Sequence, residues 1–247
     1  MCEIKLSIIT VCYNAEQAIV STLKSIACQN YSHIEYIVID GASTDGTLQL
    51  VRQYMPNAYI VSEPDRGLYD AMNKGIKVAT GHYLWFVNAG DAIRSAATAQ
   101  EIVSQAEAKR RAEGFLPGVI YGDTMIVDDN QKDLHLRRLR PPKELSSQSF
   151  RKGMLVCHQA FLAHRDLVTD YDLRYRFSAD FDWCIRVLQQ SRCNLFIPSI
   201  VANYLKGGLT TKNRMRSLVE RFKIMSHHYG VVVTILDHLS FVLYPRR

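Results

Sequence analysis

The chain has 247 residues, of which 47% are hydrophobic and 22% are charged, as is usual for a folded globular protein and unlike an intrinsically disordered one. Its formal net charge of +6 favours polyanionic partners such as nucleic acid, an anionic membrane surface or phosphorylated substrates. No run of about 18 uncharged apolar residues occurs, which excludes a membrane-spanning helix. The first residues, MCEIK, lack the pattern of a signal peptide, so we expect a cytoplasmic protein.

Six cysteines are scattered along the chain without a CxxC pair. This spacing argues against a zinc site and against a disulfide framework. We interpret the cysteines as small buried hydrophobic residues in a reducing compartment.

The N-terminal region alternates predicted strands and helices. Residues 6–11 (LSIITV) form a β-branched run typical of a buried parallel strand. Residues 19–26 carry apolar side chains at helical spacing, and Asn14 is the predicted N-cap of that helix. A second strand is predicted over 34–39, and a helix begins near Thr47.

The alternation continues to residue 91. A third strand is predicted over 59–61, and a helix then runs through Asp70 and ends at Gly81. A fourth strand occupies 83–87. The resulting βαβαβαβ order predicts a mainly parallel sheet with helices on both faces.

Polar side chains follow each predicted strand: Asn14 after the first, Asp40 after the second, Asp65 after the third and Asp91 after the fourth. In an open parallel sheet, ligands bind beyond these carboxyl ends. Acidic loops in a basic chain point to a divalent cation, through which carboxylates can face a polyphosphate. The GASTDG segment is neither a P-loop nor GxGxxG, which disfavours a nicotinamide or flavin cofactor.

The chain resembles the family 2 glycosyltransferases of the GT-A fold. The resemblance rests on SIITVCYNAEQAIVSTLKSI (7–26), IEYIVIDGASTDGT (34–47) and SEPDRGLYDAMNKGIKVATGHYLWFVNAGD (62–91). A shorter similarity continues in CHQAFL (157–162), RFSADFDWCIRVL (176–188) and GGLTT (207–211). The GLYDAMNKG and NAGD segments resemble the bacterial branch that builds colanic acid, capsule and O-antigen.

The resemblance implies an α/β fold with a Rossmann-like central sheet flanked by helices, an acceptor-side region and a helical tail. We expect a nucleotide-sugar-binding half over 1–94, an acceptor half over 95–212 and a tail over 213–247. Three positions are open for the apolar, partly basic tail. It is expected to lie on an anionic leaflet, to pack on the sheet, or to contact a second copy in a homodimer. We favour peripheral contact with the inner membrane, because acceptors in this family are often sugars on a polyprenyl diphosphate.

The resemblance also implies the nucleotide-sugar site. Asp40 is expected to accept a hydrogen bond from the uracil N3–H, whereas Asp45 supports its loop. Met72 stands where many relatives have arginine, so Arg66 or Lys74 is expected to take that charge role. The residues implied for nucleotide-sugar binding are Thr10, Tyr13, Asn14, Asp40, Ser43, Asp65, Asp70, Asn73, Lys74, Asn88, Ala89 and Gly90.

Asp91 matches the metal-ligating position of the family's Asp-x-Asp motif, which implies Mn²⁺ or Mg²⁺ as cofactor. Asn88 is expected to bond the ribose or to reach the ion through water. The alternative is that Asp91 only caps a helix starting near Ser95.

Asp180 is the implied general base, in SADFDW, where Ala179 replaces the usual glutamate. Asp182 is the alternative base, and a simple capping role for Asp180 also stays open. The residues implied for acceptor binding are His158, Gln159, Asp182 and Trp183. Residues 206–211 are implied to close over the donor diphosphate, unless they form a plain turn.

These features predict an inverting glycosyltransferase that uses a nucleotide sugar, with UDP favoured over GDP, and a lipid-linked saccharide acceptor. A nucleotidyltransferase of the same fold is an alternative, although it needs a basic glycine-rich loop after the first strand, where this chain has CYNA. The net charge alone suggests a nucleic-acid-binding protein, but no nucleic-acid-binding motif is present.

Overall fold

The computed structural model describes residues 3–207 and 213–243. Its first half contains β1 (Leu6–Cys12), α1 (Ile19–Ala27), β2 (Ile34–Asp40), α2 (Thr47–Tyr54), β3 (Tyr59–Ser62), α3 (Leu68–Val78) and β4 (Tyr83–Phe86). The second half contains β5 (Ala92–Ile93), α4 (Thr98–Glu113), β6 (Val119–Val127), β7 (Asp133–Leu136), β8 (Phe161–His164), α5 (Ala179–Gln190), β9 (Asn194–Leu205), α6 (Arg214–Tyr229) and α7 (Val231–Leu243).

Across the described residues, the strands form one mixed sheet. Its order is β3-β2-β1-β4-β8-β6-β9-β5, with β7 paired to β6. Neighbouring strands from β3 to β4 are parallel, whereas β8 is antiparallel to both β4 and β6. The predicted βαβαβαβ order and the mainly parallel first half of the sheet are therefore confirmed.

The central strands are buried on both faces, as their β-branched sequences indicate. Thr10 is fully buried in β1 and donates from Oγ1 to the carbonyl oxygen of Val87 at 2.7 Å. Its hydroxyl therefore ties β1 to the end of β4. The nucleotide contact of Thr10 stays a prediction, which the burial of its side chain does not favour.

Two predicted helix boundaries differ from the structure. Ala18, not Asn14, occupies the N-cap of α1. Asn14 adopts a left-handed conformation, with φ of 46°, and its Oδ1 accepts a hydrogen bond from the backbone N–H of Thr44 at 2.9 Å. It therefore holds the loop after β2 instead of capping α1. Helix α3 ends at Val78, ahead of the predicted Gly81, because the backbone of the next residue is extended.

Helix α6 packs against the start of α5 through polar contacts. Glu220 accepts hydrogen bonds from the backbone N–H groups of Arg176 at 2.9 Å and Phe177 at 2.8 Å. The hydroxyls of Ser217 and Ser178 lie 2.8 Å apart and share a hydrogen bond. These hydrogen bonds provide partners for the backbone N–H groups just before α5 and hold α6 against α5.

Helix α7 contacts α6 and the segment around Arg151, whose guanidinium pairs with Asp237 at 2.9 Å. Its outer face exposes a row of apolar side chains, namely Val231, Val232, Ile235, Leu236, Leu239 and Leu243. Among residues 3–207 and 213–243, no helix has both the length and the apolar character needed to cross a bilayer.

Candidate active site

A cleft of about 480 Å³ opens beyond the carboxyl ends of β1 and β4. Strand β9, the segment before β8 and helix α6 supply its other walls. The predicted site residues that line this cleft are Tyr13, Asn88, Ala89, Asp91, His158, Gln159 and Asp180. The structure therefore brings the predicted metal ligand and the predicted base, which lie far apart in the sequence, into one cavity.

Asp91 is held rigidly in the cleft wall. Its Oδ1 accepts from the backbone N–H of Leu205 at 2.9 Å, and its Oδ2 accepts from Nε2 of Gln159 at 2.7 Å. The preceding Gly90 has φ of 99°, and its N–H donates to Oγ1 of Thr22 at 3.0 Å. Burial raises the pKa of Asp91 to about 7 in spite of these two hydrogen bonds.

The oxygen atoms around Asp91 fit a hard divalent cation. Oδ1 of Asn88 is buried and has no hydrogen-bond partner among the described residues. Carboxylate and amide oxygens are the donors that Mg²⁺ and Mn²⁺ prefer. Within residues 3–207 and 213–243, no group of three or more His, Cys, Asp or Glu side chains could hold a metal. An ion here would therefore take its remaining ligands from substrate and water.

The alternative capping role for Asp91 is wrong. Helix α4 begins at Thr98, and Oγ1 of that threonine accepts the backbone N–H of Ser95 at 3.0 Å. The carboxylate of Asp91 instead contacts β9 and Gln159.

Asp180 is the second residue of α5 and is half-buried in the cleft. Its Oδ1 accepts from the hydroxyl of Tyr69 at 3.0 Å and from the backbone N–H of Phe181 at 2.9 Å. Oδ2 accepts no hydrogen bond from the described residues. One oxygen of Asp180 is thus fixed by the protein, and the other is open to a ligand.

Trp183 and Asp182 do not face the cleft. Trp183 is fully buried, and its Nε1 donates to the carbonyl oxygen of Thr169 at 2.8 Å. Asp182 is 4% exposed and pairs with Arg186 and His228, each at 2.7 Å. Although burial opposes ionisation, these two partners hold the pKa of Asp182 below its usual value. Their acceptor-binding roles, and the role of Asp182 as alternative base, stay predictions, which the burial of both side chains does not favour.

His158 and Gln159 line the cleft but are tied to the protein. Nε2 of His158 shares a hydrogen bond of 2.7 Å with the hydroxyl of Tyr171. Burial lowers the pKa of His158 to about 4, so the imidazole is neutral at pH 7. Gln159 donates to Asp91 and accepts from the thiol of Cys157 at 2.9 Å. Their acceptor-binding roles stay predictions, whereas the contact of Gln159 with Asp91 was not predicted.

Asp40 is enclosed at the end of β2. It is fully buried, and Oδ2 accepts from the backbone N–H of Ser43 at 3.0 Å and from Oγ of Ser62 at 2.7 Å. The hydroxyl of Ser43 also donates to Asp40 and accepts from the N–H of Asn14 at 2.8 Å. Asp40, Ser43 and Asn14 therefore build the loop between the strands. The expected uracil contact of Asp40 stays a prediction, and in this arrangement its carboxylate accepts hydrogen bonds from inside the protein.

Gly41 lies next to another carboxylate, that of Asp65. A Cβ atom at Gly41 would lie 2.5 Å from Oδ2 of Asp65 and 3.3 Å from Cδ2 of Tyr13. Asp65 is half-buried, and its Oδ1 accepts from the backbone N–H of Gly67 at 2.8 Å. The missing side chain at Gly41 therefore lets the Asp65 carboxylate approach the exposed ring of Tyr13, which lines the cleft.

Other predicted nucleotide-binding residues stabilise α3 and its surroundings. Asp70 pairs with Arg66 at 3.1 Å, and Lys74 pairs with Glu63 at 3.0 Å. Asn73 is 7% exposed and exchanges two hydrogen bonds with the backbone of the residue at 171, at 2.6 and 3.0 Å. None of Asp70, Asn73 and Lys74 lines the cleft, and their ligand contacts stay predictions.

Basic side chains from three separate segments of the chain line the cleft. Arg137 follows β7, and its Nη1 donates to the carbonyl oxygen of Leu139 at 2.9 Å. Arg221 reaches the cleft from α6. Lys206 and Gly207, the start of the predicted closing loop, also line it. The rest of that loop, residues 208–211, lies outside the described residues.

The family model for glycosyl transferase family 2 matches residues 7–172. The chain belongs to this family. This glycosyltransferase is 30% identical over 239 residues, covering 93% of this chain and 88% of the relative, to a PGL/p-HBAD biosynthesis glycosyltransferase of Mycobacterium tuberculosis. It is 34% identical over 186 residues, 73% of this chain and 67% of the relative, to an uncharacterized glycosyltransferase of the same species.

Solved structures share the fold of this glycosyltransferase. S. aureus TarS 1–349 superposes with a TM-score of 0.68 at 16% identity, covering 96% of this chain and 72% of TarS. The mannosyltransferase PcManGT from Pyrobaculum calidifontis, in complex with GDP-Man and Mn²⁺, superposes with a TM-score of 0.63 at 18% identity, covering 99% and 76%. The predicted GT-A fold and transferase class are confirmed, and the nucleotidyltransferase and nucleic-acid-binding alternatives lose their support.

Proposed function

We propose that this protein is an inverting, metal-dependent glycosyltransferase that moves a sugar from a UDP-sugar to a hydroxyl of a growing bacterial polysaccharide repeat unit on a polyprenyl diphosphate. One observation carries the proposal. The buried oxygens of Asp91 and Asn88, and the open Oδ2 of Asp180, face the same cleft. A nucleotide-sugar transferase needs both a cation-binding group and a proton acceptor within reach of one substrate.

In this proposal Asp180 takes the proton of the acceptor hydroxyl as its oxygen attacks the anomeric carbon. Tyr69 and the N–H of Phe181 orient the carboxylate through Oδ1, so that Oδ2 points to the substrate. Direct displacement inverts the anomeric centre and gives a β-linkage from the common α-linked donors. Asp91 and Asn88 would hold Mn²⁺ or Mg²⁺, which supplies Lewis-acid stabilisation of the departing diphosphate.

Two lines support a UDP-sugar donor. A structural neighbour, TarS 1–349, is recorded in complex with UDP-GlcNAc and superposes with a TM-score of 0.65 at 17% identity. In this chain, the ring of Tyr13 and the carboxylate of Asp65 both lie close to Gly41, and Tyr13 lines the cleft. An aromatic face can stack on a base, and a carboxylate accepts from the imide N–H of uracil. We therefore propose Tyr13 and Asp65, beside Asp40, for recognition of the base.

The proposal is tested by calorimetric titration of the full chain with UDP and GDP, each with Mn²⁺ and with a chelator. We expect UDP to bind at least about tenfold more tightly with Mn²⁺ than with the chelator, and more tightly than GDP, because the cation bridges carboxylate and diphosphate. Equal affinities with and without metal would contradict metal dependence, and preferential binding of GDP would contradict the donor assignment.

We extend the proposal to a peripheral position on the inner membrane, where the lipid-linked acceptor resides. The outer face of α7 exposes Val232 at 71% and Leu236 at 60%, within the apolar row described above. Helix α6 adds exposed basic residues, Arg214, Arg216 and Lys223. Apolar side chains beside basic groups are the combination that binds anionic leaflets.

Replacing Val232 and Leu236 together by glutamate is expected to weaken binding to vesicles containing anionic phospholipid by about 100-fold, since each buried apolar side chain contributes about 1.5–3 kcal/mol. Vesicle sedimentation measures the effect, and Leu134→Glu, at an exposed position in β7, is the matched control. If the double variant keeps vesicle binding but converts a dimer to a monomer in analytical ultracentrifugation, the face binds a second copy instead.

A further inference from the structure

Arg221 is an unpaired cation in the cleft wall. Its Nε is buried without a hydrogen-bond partner, and the structure gives its guanidinium no hydrogen bond or ion pair within the described residues. Arg186 and Arg151, by contrast, each form a carboxylate pair at 2.7 and 2.9 Å. Removing a guanidinium N–H from water without a partner is costly, so this arrangement is typical of a group that a ligand completes.

Neighbouring residues fix the position of Arg221, but within the part of the chain that the structure describes they accept no hydrogen bond from its guanidinium group. Helix α6 is fixed by Glu220, the preceding residue, which accepts the backbone N–H groups ahead of α5. The guanidinium carbon lies 5.6 Å from the centroid of the Phe181 ring, a cation–π distance. Asp180 is the neighbour of Phe181 in α5, yet it forms no ion pair with Arg221. The cation is thereby kept beside the proposed base without occupying its carboxylate.

The charge of the cleft favours an anionic occupant. Among the residues that the structure describes, three cations line it, Arg137, Lys206 and Arg221, against two carboxylates, Asp91 and Asp180. Sugar hydroxyls are neutral and cannot compensate the charge of a desolvated guanidinium. A phosphate is anionic, and it accepts two parallel hydrogen bonds from the planar guanidinium group. In the proposed reaction, phosphate groups occur in the donor and in the lipid-linked acceptor.

We propose that Arg221 binds a phosphate group of a substrate in the cleft, beside the start of α5 that carries Asp180. This inference rests on the proposed function and deepens it. Arg221 lies beyond residues 7–172, which match the family model, so helix α6 supplies a substrate-binding residue from outside that segment.

The test uses Arg221→Met in the full chain, because methionine keeps an apolar stem against Phe181 and removes the charge. The probes are UDP against uridine for the donor side, and farnesyl diphosphate against farnesol for the acceptor side, titrated by calorimetry with Mn²⁺. We expect one diphosphate probe to bind about 10- to 100-fold more weakly, and its phosphate-free analogue to be unaffected. Arg221→Lys should retain part of the affinity, and Arg52→Met, at an exposed position on α2, should retain all of it.

A loss confined to UDP assigns the donor phosphate, and a loss confined to farnesyl diphosphate assigns the acceptor phosphate. Unchanged binding of both probes, or an equal loss for the phosphate-free analogues, would overturn the inference. Failure of the wild-type protein to bind UDP would instead contradict the proposed function. The melting temperature of Arg221→Met should equal or exceed that of the wild type, since an unpaired buried N–H is removed; a structural arginine would show the opposite.

Discussion

Replacing Asp180 by asparagine is expected to lower kcat for sugar transfer by about 10²- to 10⁴-fold, the usual contribution of a general base. Asparagine keeps an oxygen that can accept from Tyr69 and from the N–H of Phe181, so the start of α5 should stay intact. The nucleotide affinity should therefore change little. Steady-state kinetics with a UDP-sugar donor, together with calorimetric titration of UDP, separate the two effects.

Asp172→Asn is the matched control, because Asp172 pairs with Arg174 at 2.6 Å outside the cleft. It should retain wild-type kcat. Asp182→Asn should instead lower the melting temperature, since it leaves Arg186 and His228 without their buried partner. Turnover of Asp180→Asn within about threefold of the wild type would be incompatible with the assigned base.

Replacing Asp91 by asparagine is expected to weaken UDP binding in the presence of Mn²⁺ by roughly 100-fold, because the metal contact contributes several kcal/mol. Binding in chelator should be unchanged, so the dependence on metal disappears. We expect only a modest fall in melting temperature, because the neutral amide removes the cost of burying an ionised group but can accept from only one of the two donors, the N–H of Leu205 and Nε2 of Gln159. Calorimetry and thermal melting measure the two outcomes.

Asp123→Asn provides a comparison for Asp91, because Asp123 is also buried but pairs with Arg140 away from the cleft. It should keep metal-dependent UDP binding and lose stability. If Asp91→Asn retained the metal dependence, the cation would have to bind elsewhere, and the assignment of the Asp91 and Asn88 oxygens would be wrong.

The sequence was most informative where local pattern and burial agree. The β-branched runs around Ile8 and Ile37 predicted β1 and β2, because parallel strands buried on both faces require such runs. The polar residues after each strand located the edge where the cleft opens, and Asp91 lies there as expected. The end of each strand is marked by polar residues that directly follow an apolar run. These ends can therefore be located from the sequence alone.

Burial and distant partners could not be predicted in the same way. Asp182 and Trp183 carry the chemistry of a binding site, but His228 and Thr169 enclose them from segments that no local pattern connects. Arg221 belongs to a basic run that is typical of a solvated helix face. Only the packing of α6 against α5 shows that this arginine enters the cleft.

The close approach of Gly41 and Asp65 links two positions that are separated by a helix and a strand. Any larger residue at 41 would place its Cβ 2.5 Å from the Asp65 carboxylate and push that carboxylate from the cleft edge. We therefore expect substitutions at these two positions to be correlated among homologues. Homologues with a residue other than glycine at position 41 should have a residue other than aspartate at position 65. In such homologues, a carboxylate at position 41 would accept the hydrogen bond from the nucleotide base.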